Sequence, residues 1–149
     1  LFVMIGTVEH SGLLQKAAGL LSDLSAGNIH VATVLLVVFT AVTSGIMDNI
    51  PVAATMIPIV ATMTETLPAA PLWWGLTISA NLGGNGTPIG SISGVIALSA
   101  LQESGGEKVS WGEWFKVGAV CMVFQVLVVL AWLSMFTIFD LYPELPGVK

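Results

Sequence analysis

Charge is what this sequence has least of. Only 9% of its 149 residues are Asp, Glu, Lys or Arg, while 55% are hydrophobic, and the mean hydropathy is +0.92. A soluble domain carries about 25% charged residues, so too few are present to clothe a water-facing surface, and lipid must cover much of the chain. Arginine is absent; four lysines stand against nine acids, for a net charge of -5. Nucleic acid binding needs clustered Lys or Arg facing phosphates, and this composition excludes it. Cysteine is reduced to Cys121, so no internal disulfide can form. In its apolar run that residue reads as a small buried hydrophobe.

Long apolar segments are what the chain does have, and their interruptions carry the information. It opens on Leu1 inside an apolar stretch, and the expectation is the C-terminal part of something longer, with 1–10 closing a transmembrane helix. Leu13, Leu14, Ala17, Ala18, Leu20, Leu21 and Leu24 then recur at helical spacing opposite Gln15, Lys16, Ser22 and Asp23. That pattern predicts an amphipathic arm helix over 12–25, lying in the membrane interface.

From Val31 to Met63 one apolar tract is broken only by "SGIMDNIP", Ser44 to Pro51. Two full spans need about 20 residues each, more than this tract supplies. A re-entrant helical hairpin over 30–67 fits better, with two cramped spans as the alternative. In 72–101 the first arm, Leu72 to Ala80, is long enough for about 13 Å of helix. This is near half of a ~30 Å hydrocarbon core, so the polar break "NLGGNGTP", Asn81 to Pro88, is expected near the midplane, with helix resuming at Ile89. The run 115–139 is long enough for a transmembrane helix with some tilt. Trp73, Trp74, Trp111, Trp114 and Tyr142 suit interfacial aromatic belts, and Lys108 and Lys116 weigh toward a cytoplasmic 102–113 loop. The fold class that follows is an all-α, multi-pass integral membrane protein in the lipid bilayer.

Both breaks contain the same kinds of residue. The first offers Ser44, Gly45, Asp48, Asn49 and Pro51; the second Asn81, Gly83, Gly84, Asn85, Gly86, Thr87 and Pro88. Proline is preorganised for a first helical position, and Asn49 and Thr87 are good capping types. Each break should therefore leave one half-helix ending in free carbonyls, which attract cations, and another starting in free N–H groups, which attract anions. Paired broken elements at the midplane are the usual design of secondary-transporter sites. Asn, Ser and Thr add neutral ligands; Asp48 is the one formal charge, a proton carrier or a sodium ligand. Alternatively, Asp48 sits in an aqueous turn between two spans.

Other motifs carry less. Gly90 and Gly94 form a G-x-x-x-G suited to close helix packing. "GGNGTPIG" lacks the lysine and the spacing of a phosphate loop, and the sequon "NGT" lies at membrane depth. Glu65 reads as interfacial. His10 and His30 have no metal-ligand spacing and no Ser–His–Asp set is visible, so no enzyme is expected.

The stretches "SGIMDNIPVAATMIPIV" and "LWWGLTISANLGGNGTPIGSISGVIALSALQESGGEKVSWGEWFKVG", with the opening "TVEHSGLL", resemble the ion transporter superfamily. The similar branch is that of arsenite permeases and sodium/proton antiporters, related to citrate and divalent-anion permeases. This resemblance implies one half of an inverted-repeat carrier, whose missing N-terminal half would be its partner, in a protein that commonly forms a homodimer. It implies substrate or ion binding at Ser44, Asp48, Asn49, Gly84, Asn85 and Thr87, beside Asn81 from the break itself. A sodium site at Ser44, Asn49, Asn85 and Thr87, with Na⁺ or H⁺ as coupling ion and no other cofactor, belongs to the same expectation. Pro88 and the "SISG" of Ser91 to Gly94 depart from the branch, which usually has an aliphatic residue and "ASAN" there. The expected function is a secondary active transporter for a small ion, oxyanion or carboxylate in the cell (inner) membrane. The alternative is an ion channel or passive pore built on the same broken helices.

Overall fold

The computed structural model describes residues 19–21, 23–88, 90–105 and 109–142. Five helices follow in order: α1 (Ile29–Ile46), α2 (Asn49–Met63), α3 (Ala69–Gly83), α4 (Ile92–Glu103) and α5 (Trp111–Phe139). No strand occurs among the described residues. Residues 19–21 and 23–25 are also helical, the end of the predicted arm helix. Its beginning and the predicted first span lie outside the described residues.

Four of the five helices start where a side chain takes up orphaned N–H groups; α3, which follows Pro68, has no such cap. The Asn28 carboxamide oxygen accepts from His30 N at 2.9 Å to open α1. Asp48 Oδ1 accepts from Asn49 N at 2.8 Å to open α2. Ser91 Oγ accepts from Gly94 N at 3.1 Å to open α4. At α5, Ser110 and Glu113 cap one another's backbone N–H groups reciprocally, the capping-box arrangement.

Small residues decide how the helices pack. Gly75, Ser79 and Gly83 recur every fourth position on α3 and are buried, a stripe that lets another backbone come close. A Cβ on Gly75 would lie 3.2 Å from Val37 Cγ2 and 3.7 Å from Thr33 Cγ2, and one on Gly83 would lie 2.9 Å from Gly45 N. Residue numbers rise together along that seam, so α1 and α3 run parallel. The turn back at Met47 makes α1 and α2 an antiparallel hairpin, and Leu36, Val60, Met63 and Leu72 close a core where α1, α2 and α3 meet. The last helix runs antiparallel to α3, with Leu133 near Gly75 and Met122 near Gly86.

Only Leu133 of α5 is buried and no residue of α4 is. Much of the exposed surface of α5 is apolar, including Val120, Phe124 and Leu127, as lipid contact requires. Helices α1 and α5 are long and apolar enough to cross a membrane by length and composition. The 15 residues of α2 and of α3 reach about 22 Å each, short of a ~30 Å core.

Several local expectations are corrected. The first arm of the broken helix extends through Gly83, because Asn81 Nδ2 donates to Thr77 O at 2.8 Å and Gly83 packs on α1. Helix resumes at Ile92 rather than Ile89, capped by Ser91 and not by Thr87, whose hydroxyl is engaged elsewhere; Pro88 is therefore outside the helix. Asp48 rather than Asn49 caps α2, leaving Pro51 as its third residue. Cys121 is exposed, not buried. Gly90 works in the break rather than between helices, with Ser44 O and Gly45 O only 3.1 and 3.2 Å from where its Cβ would stand. Trp74 and Tyr142 do more than anchor. Trp74 meets Trp132 edge to face at 6.4 Å, and Trp132, Phe136 and Tyr142 continue the cluster. Tyr142, just past α5, donates to Leu133 O at 3.0 Å; burial pushes its phenol above the usual range, and its bond with Thr137 pulls the other way.

Candidate functional site where two helix breaks meet

The parallel run of α1 and α3 brings their C-terminal ends to one level, with Gly45 beside Gly83. At such ends the last carbonyls have no partner within their own helix, so each must be met by something else. Here residues of one break serve the carbonyls of the other. Ser44 Oγ donates to Ala80 O at 2.5 Å. Thr87 Oγ1 donates to Gly45 O and accepts from Gly90 N at 3.0 Å. Oriented so that its NH₂ meets acceptors, the Asn49 amide faces Ser44 Oγ at 2.8 Å, Ala80 O at 3.0 Å and Gly90 O at 3.1 Å. The assignment of that amide follows from the hydrogen-bond network. Its two protons are shared among three oxygens, and its Oδ1 points away from them.

Glycine makes the approach possible. A Cβ on Gly84 would stand 2.9 Å from Gly90 O and 3.0 Å from the Asn49 amide, so only a bare backbone fits. Ser44, Gly84, Asn49 and Thr87 are thus gathered into one cluster, Ser44 and Gly84 buried and the other two half-buried. Asp48 stands next to it, half-buried and capping α2.

Two predicted residues leave the cluster. Asn81 is exposed and borders, with Asn49, Ala80 and Trp73, an open cavity of about 390 Å³ between α2 and α3. Asn85 turns the other way, and its Nδ2 donates to Gln125 Oε1 of α5 at 3.1 Å. The predicted joining of Asn85 to Ser44, Asn49 and Thr87 is therefore not seen among the side chains.

Sequence reasoning missed what α5 contributes. It read 115–139 as plain apolar, yet Gly118, Met122 and Gln125 all touch the second break. A Cβ on Gly118 would lie 2.6 Å from Asn85 O, and one on Gly86 2.7 Å from Met122 Sδ. Gln125, a lone amide deep in an apolar run, was the available signal. Among the described residues no three His, Cys, Asp or Glu side chains gather as metal ligands. The side-chain oxygens gathered in the cluster are the hydroxyls of Ser44 and Thr87, each bonded to a helix-end carbonyl, with the Asp48 carboxylate beside them.

Helices that end side by side within an all-helical, strongly apolar bundle are the architecture of an integral membrane protein. The family model described as "Citrate transporter" matches residues 1–146, and the chain belongs to that family. It is 33% identical over 144 residues to an uncharacterized transporter of Mycobacterium tuberculosis, covering 93% of this chain and 33% of that protein. It is 30% identical over 158 residues to an uncharacterized transporter of Synechocystis, covering 92% and 35%. Against the P protein of Sus scrofa it is 32% identical over 142 residues, covering 89% and 17%. The chain thus spans about a third of the length of the first two of these curated relatives. No solved structure matches it.

Proposed function

We propose that this chain is the C-terminal part of a secondary active transporter that moves a small carboxylate or oxyanion coupled to Na⁺ or H⁺. The observation that carries the reading is the fusion of the two breaks, through Thr87 to Gly45 O and through Asn49 to Ser44, Ala80 O and Gly90 O. Parallel α1 and α3 end side by side, and each C-terminus carries a partial negative charge of about half a unit. Their summed field favours a cation at the cluster, beside the Asp48 carboxylate. The starts of α2 and α4 present N–H groups of the opposite sense, suited to an anion. A cation and an anion bound at one place is the arrangement that couples their movement.

Membership in the citrate transporter family favours a carboxylate over arsenite within this reading. The hairpin α1–α2 is read as re-entrant because α2 is too short to cross, although α1 by itself is long enough. The remaining assignments are a homodimer, completion by an N-terminal half and residence in the cell membrane. A pore remains the alternative built from the same parts, and flux separates the two. The full-length protein in proteoliposomes is expected to show saturable uptake of radiolabelled citrate driven by a sodium or proton gradient, with counterflow. Downhill conduction without saturation or counterflow would overturn the carrier.

A further inference from the structure

We infer that Gln125, the midpoint of the last helix, is a positioning residue for solute binding: it holds Asn85 and so sets the shape of the second break. The inference rests on the transporter reading and adds to it an element outside both breaks. Gln125 is about 21 Å from either end of α5 at 1.5 Å per residue. An amide at that depth is retained only with a partner, because lipid offers none. Its partner is Asn85, at 3.1 Å.

The contact is part of a stripe. Trp114, Gly118, Met122 and Gln125 follow at intervals of four, four and three, one face of a helix. Gly118, Met122 and Gln125 meet the break after α3, and Trp114 meets the start of α4. Trp114 lies 3.7 Å from where a Gly94 Cβ would stand, Gly118 is pressed against Asn85 O, and Met122 Sδ lies beside both Gly86 and Gly45. The glycine-rich segment has few side chains to fix its own shape, so α5 fixes it from outside. Asn85 Nδ2 held by Gln125 Oε1 fixes the orientation of the Asn85 amide and of the turn that carries it. A cavity of about 480 Å³ opens at this spot, lined by Asn85, Glu113, Trp114, Cys121 and Gln125 among others. Trp114, one of its walls, keeps its Nε1 buried with no partner among the described residues.

The test uses the full-length protein in proteoliposomes and radiolabelled citrate. Gln125→Met keeps the length and removes the amide; KM for citrate is expected to rise three- to tenfold, the worth of an interhelical hydrogen bond in a membrane, with the maximal rate within twofold. Gln125→Glu keeps an acceptor for Asn85 and is expected to hold KM within about twofold of the parent. An unchanged KM in Gln125→Met, or equal losses in both variants, overturns the inference. A second readout needs no variant at Gln125. Cys121 lines the same cavity, and citrate is expected to slow its modification by a water-soluble maleimide severalfold; unprotected labelling overturns the inference. A parent protein that takes up no citrate, and binds none, overturns citrate as the solute instead, so the two failures are distinguishable.

Discussion

The first break occupies Met47 and Asp48 between α1 and α2, whereas the second runs from Gly84 to Ser91 between α3 and α4. The short one is held by side chains: Asp48 caps the new helix, and Ser44 and Asn49 reach across to Ala80 O. The long one has Thr87 on Gly45 O and Asn85 on Gln125 but is otherwise held through glycine, since Gly84, Gly86 and Gly90 let other backbone and Met122 come to contact distance. A side-chain-braced turn keeps its shape by itself. A glycine-rich one takes its shape from its neighbours, here α1 and α5, and is the part able to change when a solute binds.

Gly83→Ala strikes the seam between the breaks and should have the largest effect. Its Cβ would stand 2.5 Å from Ser44 Cβ and 2.9 Å from Gly45 N, so about 3 kcal/mol of overpacking is expected. Thermal unfolding of the purified full-length protein measures it, with Gly112→Ala, which meets nothing within 4 Å, melting no lower than the parent. Ser44→Ala comes next. It removes the donor to Ala80 O and an acceptor for Asn49, a buried loss of about 2 kcal/mol. A melting temperature equal to the parent's would show that the short break is not held by this side chain.

Asp48→Asn separates structure from transport, because asparagine caps a helix as well as aspartate. Stability should stay within about 0.5 kcal/mol, while gradient-driven citrate uptake falls at least tenfold, about 1.4 kcal/mol. Undiminished coupled uptake would remove Asp48 from the mechanism. The smallest effect belongs outside both breaks. Ser110→Ala dismantles the capping box of α5 and should cost about 1 kcal/mol of stability. KM for citrate should not move; a shift there would mean that the start of α5 also shapes the second break.

Much of this was legible because membrane sequences are simple. Asp48 is the one acid between Asp23 and Glu65, and an acid so placed marks either a turn or a site. The hairpin and the existence of the second break followed from apolar length and from glycine and proline. The errors came where tertiary contact overrode local preference. Asn81 to Gly83 stayed helical because α1 packs on them, and Thr87 gave up the expected cap because Gly45 O was within reach. Asn85 looked like a natural companion of Asn49, yet Gln125 claims its side chain. The stripe Gly75, Ser79, Gly83 was visible in the sequence, but its partner helix was not.

By itself the sequence determined the membrane setting, the helical class and the two places where helices must stop. Composition and the hydrogen-bonding needs of a backbone in lipid leave little choice on those points. Only the tertiary structure decided that α1 and α3 run parallel with their carbonyl ends level, and that α5 clamps the glycine-rich break. Which backbone group meets which side chain depends on contacts between residues distant in the chain, and no local pattern encodes such pairings.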